Sequence, residues 1–223
     1  LVCAHFHSLS EALHANNIIL KHSPMASELV DKFIMDFTKD HPTYQHNRFF
    51  IEGEPEAMLM VEFLELDDEE LYKKTSALIE DLKKNNLGYA FPVVKGEQTK
   101  LAWDIRKAGL GLIRNMPGDT QPVNLIEDCA VPPEDLPYYI EDLQKILYKY
   151  ELTASYYAHA GAGELHVEPM INLKTKKGKE VFRNVLKETT ELVKKYNGSL
   201  SGEHGDGRLR GEFISSVLGE DVY

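Results

Sequence analysis

One pattern limits the fold more than any other. Apolar strands and amphipathic helices alternate, each half running roughly strand–helix–strand–strand–helix–strand, and the order recurs after a polar joint at Asn115–Pro122. In the first half Leu1–Phe6 reads as a strand, and Ser8 or Ser10 caps a helix to about Leu20. Ala26–Phe37 reads as a second helix, with Leu29, Val30, Phe33 and Ile34 on one stripe. Met58–Leu64 is a strand, Asp67–Asn85 an amphipathic helix, Gly88–Val94 a strand and Glu97–Leu112 a helix. Beyond the joint, Val123–Val131, Leu152–Ala158 and Leu165–Leu173 read as strands. Helices start at Pro133 and at Gly178, the second ended by Asn197-Gly198, and Ser199–Ser201 is a short strand. That order predicts an α+β chain of two ferredoxin-like subdomains, about 1–114 and 122–223, with largely antiparallel sheets.

Two short runs carry the chemistry. His159-Ala160-Gly161-Ala162-Gly163-Glu164-Leu165-His166 and Ser201-Gly202-Glu203-His204-Gly205-Asp206-Gly207 together hold three histidines, two glutamates and an aspartate among glycines. Residues seven apart fall on opposite faces of one strand. Gly161 and Gly163 permit a turn that brings the two imidazoles together. Two neutral imidazoles suit zinc, manganese or iron, and Glu203 is the best third ligand. The plainer alternative is a pair of structural histidines at a hairpin end. Glu203 and His204 are adjacent, so on an extended chain they point opposite ways, one toward a metal and one toward flavin or substrate. His204 is then a candidate general base, although the run also reads as an irregular loop entering a helix at Arg208.

Arg106, on a helix beside Trp103 and Asp104, can grip a carboxylate through two parallel hydrogen bonds, or simply pair with Asp104 or Glu97. Arg208 and Arg210 flank the second run and offer the same chemistry. The net charge of −11 argues against a nucleic-acid partner, which needs a basic surface. No apolar run approaches the roughly 20 residues of a membrane span. Cys3 and Cys129 fit no metal or disulfide spacing and read as buried residues of a reducing cytoplasm. The chain opens in what reads as a strand already under way, and Val217–Tyr223 stops just after a possible helix begins. It is therefore expected to be a fragment of a longer protein.

The two runs, with Trp103-x-x-Arg106 and Glu127-Asp128-Cys129-Ala130-Val131-Pro132, resemble the C-terminal domain of FAD-linked oxidases. That family includes glycolate oxidase large subunits, D-lactate dehydrogenases and D-2-hydroxyglutarate dehydrogenases. The run Leu165–Lys174 is similar to a large form fused to an iron–sulfur half. The resemblance implies that His159, His166 and Glu203 ligate a divalent metal, zinc or manganese, that His204 is catalytic and that Arg106 holds the substrate carboxylate. It implies a small 2-hydroxy-acid substrate, FAD held mainly by an FAD-binding domain of the same polypeptide, and flavin contact at Gly205 and Gly207. Any iron–sulfur cluster would lie outside this chain, which alone is expected to be inactive. The sequence departs from the family pattern at Ala162 and Glu164, where aspartate and asparagine are frequent. It departs again at Glu168, where 2-hydroxyglutarate-specific members carry asparagine. A carboxylate there repels a dicarboxylate, so the resemblance sets the reaction class and leaves the acid and the electron acceptor open. The alternative is a non-catalytic metal-binding or regulatory ferredoxin-like module.

Overall fold

The computed structural model describes residues 1–219, 221 and 222; Glu220 and Tyr223 of the final run lie outside the described residues. The chain divides into two compact units. One comprises Leu1–Asn115 with His159–Gly161, the other Met116–Ala158 with Ala162–Tyr223.

In the first unit β1 (Val2–Phe6) leads to α1 (Leu9–Ile19), which starts where the Ser8 hydroxyl accepts the Glu11 N–H at 3.1 Å. Next come β2 (Ala26–Asp31), α2 (Lys32–Phe37), β3 (Ala57–Glu62), α3 (Asp68–Lys84) and α4 (Gln98–Ile113). β3 pairs antiparallel with both β1 and β2, placing Ala4 and Leu29 against Leu59. Antiparallel bridges Val2–Val93 and His5–Ala90 set residues 90–93 outside β1. The spatial order is fourth–first–third–second, the ferredoxin-like arrangement. β1 is buried along its whole length and β3 through Val61, so these strands form the middle of the core.

Ala26–Asp31 is a strand, not the first half of a helix. Leu29-Val30 and Phe33-Ile34 satisfy a helical period, but pairing of Leu29 and Val30 with Leu59 and Met58 outweighs that local preference. The helix begins only after Asp31, whose side chain accepts the Ile34 N–H at 3.0 Å. Residues 88–94 contribute two isolated bridges, not a full strand.

The second unit repeats the plan. It contains β4 (Gln121–Pro122), β5 (Cys129–Ala130), α5 (Leu136–Lys149), β6 (Ala154–His159) as far as Ala158, β7 (Glu164–Ile171) and α6 (Lys176–Lys195), then short helices α7 (Gly207–Arg210) and α8 (Ile214–Leu218). β5 and β4 pair antiparallel with opposite ends of β7, β6 is its other neighbour, and Ser199 bridges to Ala130. Of the expected strand Val123–Val131 only Cys129–Ala130 is a strand: β4 ends before it at Pro122, and Asp128, just ahead of β5, adopts a left-handed backbone, φ 75°, outside the extended region. All eight residues of β7 are buried. No helix among the described residues is long and apolar enough to cross a membrane.

Candidate functional site

The sequence-predicted residues fall into two groups. In the first unit, Glu28 on β2 accepts His159 Nδ1 at 2.8 Å and sits 3.1 Å from Arg106 Nη2. Both charged partners are largely buried, 14% exposed for Glu28 and 12% for Arg106. Arg106 thus pairs with a residue 78 positions earlier in the chain. These three side chains, with Ala26, Glu62, Trp103 and Lys107, line an open cavity of about 420 Å³. Trp103 Nε1 donates to Glu62 at 3.2 Å, which fixes the indole in that wall.

In the second unit everything turns on Asp128. It is fully buried, and its left-handed backbone sends its side chain into the Ser201–Gly205 loop. Its carboxylate accepts the backbone N–H of Glu203 at 2.8 Å and of His204 at 3.0 Å, together with the Ser201 hydroxyl. Its carbonyl accepts Gly202 N–H at 2.7 Å. Burial alone would raise this carboxyl's pKa, but those donors outweigh it and hold the pKa down at about 2. Arg210, almost fully buried, donates to the Asp128 carboxylate at 3.3 Å, to Gly205 O at 2.8 Å and to Glu127 O. Arg210 is therefore committed to holding the loop, which corrects its reading as an alternative carboxylate grip; Arg208 is exposed.

Glycine is required at two places here. Gly163 has φ 73°, and a Cβ on it would meet Val131 O at 2.0 Å. A Cβ on Gly202 would meet Glu164 Cγ at 2.8 Å, so the loop lies directly against that side chain.

Around this frame the imidazoles gather. His166, 3% exposed, stacks on Tyr157 at 4.7 Å and on His204 at 5.4 Å between ring centroids. Its Nε2 is 3.3 Å from Glu164 and its Nδ1 is 3.5 Å from Glu127. His204 Nδ1 is 3.0 Å from the same Glu127 oxygen, and its Nε2 is 3.2 Å from Glu203. Glu203 and His204 therefore do not diverge as an extended chain would require, because the loop bends around Asp128. Glu127 is lowered from the ordinary glutamate value: burial raises it, but the two histidines and Arg210 more than offset that. His204 is raised: burial lowers it, but Glu127, Asp128 and Glu203 prevail.

Glu164, His166 and Glu203 offer ligand atoms within 4.8 Å of one another, as do Glu127, His166 and His204. Imidazole with carboxylates at that spacing fits a divalent cation. His166, Glu203 and His204 are thus brought together within one unit, and Arg106 and His159 within the other. Gly205 and Gly207 are open left-handed positions, φ 79° and 55°, where an added Cβ meets nothing within 4 Å. The sequence carries no signal for Glu28; Glu127 and Asp128 stand in it only as part of a strand-to-helix joint, and Glu164 only as a member of the first run that departs from the family pattern. The Glu127-Asp128 pair beside Pro132 was the available signal.

Two antiparallel ferredoxin-like units carrying a histidine–carboxylate cluster define the class of protein. Residues 1–223 match the family model for FAD linked oxidases, C-terminal domain, and the chain belongs to that family. It is 32% identical to the D-2-hydroxyglutarate dehydrogenase of Pseudomonas putida over 99% of this chain and 22% of that protein. It is 25% identical to the Escherichia coli D-2-hydroxyglutarate dehydrogenase over 100% and 23% respectively. Glycolate oxidase subunit GlcD of Bacillus subtilis is 26% identical over 44% of this chain. The chain thus spans less than a quarter of the length of these relatives. Among solved structures it resembles a 4-ethylphenol oxidase from Gulosibacter chungangensis, with TM-score 0.54, 11% identity and coverage of 89% of this chain and 44% of that one. At that identity the likeness shows the fold alone.

Proposed function

We propose that this chain is the substrate-binding part of an FAD-dependent dehydrogenase that oxidises a D-2-hydroxy acid to the 2-oxo acid. The observation that carries the reading is the packing of Glu164, His166 and Glu203 within ligand range of one another, with His204 alongside. His166 and Glu203 are the proposed ligands, with His159 as the third by the resemblance of its motif. A divalent zinc or manganese ion there supplies Lewis acidity that lowers the pKa of the substrate hydroxyl. FAD, carried by an FAD-binding domain of the same polypeptide, supplies the acceptor for hydride from C2.

The chain's own residues do the rest. His204 takes the hydroxyl proton; its acidic neighbours raise its pKa and so make the neutral ring a stronger base. Arg106 binds the carboxylate from the wall of its cavity, with Glu28 setting the guanidinium's orientation. Gly205 and Gly207 leave room for flavin beside His204. In this proposal any iron–sulfur cluster lies outside the chain, and the enzyme works in the cytoplasm.

The test is a screen of D-lactate, glycolate and D-2-hydroxyglutarate, with L-enantiomers of the chiral acids, on the flavin-loaded polypeptide. The expected result is D-selective flavin reduction that EDTA abolishes and added zinc or manganese restores. Reduction indifferent to chelation, or none with any 2-hydroxy acid, would reject the proposal.

A further inference from the structure

We infer that Asn16 is a positioning residue for His159, acting with Ser27 through the Ala160 carbonyl; this rests on the metal reading above and deepens it. The chain returns to the first unit for His159–Gly161. There Asn16, on α1, donates from Nδ2 to Ala160 O at 2.9 Å. Ser27, on β2, donates its hydroxyl to Asn16 Oδ1 at 2.8 Å. A carbonyl only accepts, so the NH2 end of the amide faces Ala160 and its oxygen takes the Ser27 hydroxyl. Asn16, Ser27 and Ala160 are all buried. The imidazole is held separately, its Nδ1 lying 2.8 Å from Glu28. His159 is thereby secured at two points, through the carbonyl of the next residue and through its ring.

The amide is out of place as packing. The buried stripe of α1 is otherwise Ala12, Leu13, Ala15 and Ile19. Asparagine is a weaker helix former than leucine, and a buried amide is costly unless hydrogen-bonded. Neither side-chain bond serves its own helix, since one partner is 11 residues along the chain and the other 144. What the amide secures is the turn that carries His159. Gly161 seats that turn on β2, because a Cβ there would already lie 3.4 Å from Ser27 N. The His159 side chain is 37% exposed, so packing covers only part of it and these bonds supply further restraint. Losing a group that orients a metal ligand typically costs ~10–100-fold in affinity. Asn16 acts through the backbone beside the ligand, so about 10-fold is expected.

The experiment has two arms. Zinc affinity of the flavin-loaded polypeptide, stripped of metal, is measured by competition with a chromophoric chelator at a temperature where every variant is folded. Asn16→Leu is expected to bind about 10-fold more weakly than wild type. In a His159→Gln background the same change should cost nothing further, because its effect passes through that imidazole. A merely structural role predicts no such dependence on His159. If Asn16→Leu does not fold, Ser27→Ala takes its place in the same cycle, with a loss of a few-fold. The second arm needs no metal: crystals of metal-free wild type and of the folded variant are compared. The wild type should keep the Ala160 and Glu28 contacts, and in the variant the His159–Gly161 turn should shift and the imidazole leave Glu28. Wild-type zinc affinity in the folded variant overturns the inference, as does an equal loss without His159 or an unmoved turn. If the wild type binds no zinc yet the turn shifts, the metal reading fails and the positioning role stands.

Discussion

The two units hold their functional side chains by different means. In the first, Glu28 and His159 stand on strands and Arg106 on a helix, and they meet through their side chains. In the second, Glu203 and His204 stand on a loop whose course is set by hydrogen bonds from its own backbone to a buried aspartate. The first site is attached to a finished fold, so its chemistry is separable from stability. In the second, the residues that shape the site also complete the fold.

The largest expected effect is at Gly163. Gly163→Ala puts a Cβ against the Val131 carbonyl at a left-handed position, and should cost on the order of 4 kcal/mol in urea denaturation. A variant as stable as wild type would break the claim that the second site is inseparable from its backbone. Asp128→Asn comes next. Asparagine tolerates the left-handed backbone but leaves the buried Arg210 with only the longer contact to Asp206, 3.6 Å, in place of its pairing with Asp128, so a loss of about 2–3 kcal/mol is expected, with faster proteolysis at Ser201–Gly205. Arg106→Gln in the other unit should cost only about 1 kcal/mol, less than the ~3–5 kcal/mol of an orphaned buried charge, because Glu28 keeps His159 as a partner at 2.8 Å, while raising KM well above kcat's change. If Arg106→Gln destabilises as much as Asp128→Asn, the contrast fails.

A smaller effect separates the units by pH. His5 Nδ1 lies 2.8 Å from Cys3 O, and its Nε2 accepts Glu52 N–H at 3.2 Å. That pattern requires the neutral ring, and burial lowers its pKa from 6.5. A base with a depressed folded pKa stabilises fully above its unfolded value and loses that contribution as pH falls. Stability should therefore begin to decline below pH 6.5, and His5→Gln should remove that slope. Asp128 obeys the carboxylate sign: its contribution is present above 3.8 and lost as pH falls toward about 2. The second unit's loop should accordingly outlast the His5 contact in acid, as loop proteolysis across that range would report. The smallest change concerns preference. Glu168 is buried on β7, on the same face as Glu164 and His166 by the two-residue period, so Glu168→Asn should shift kcat/KM toward dicarboxylic 2-hydroxy acids by a few-fold without loss of fold.

What the sequence made legible follows the same division. The ferredoxin-like order was readable because apolar runs such as Met58–Val61 and Leu165–Val167 mark strands buried along their length. His159, His166, Glu203 and His204 were readable because they sit in glycine-rich runs. β2 was not, since Leu29-Val30 and Phe33-Ile34 fit a helical period and only pairing with β3 decides between the two. Asp128 was not, since its role depends on a left-handed φ and on partners more than 70 residues away. Glu28 was not, since its imidazole partner is 131 residues along the chain.

The most direct test is anomalous diffraction from crystals soaked in manganese or zinc. The account predicts a peak within coordination distance of His166 Nε2 and a Glu203 oxygen, ~2.0–2.2 Å for zinc, which disappears in Glu203→Gln. No peak there at saturating metal, or one that persists without the Glu203 carboxylate, would contradict it.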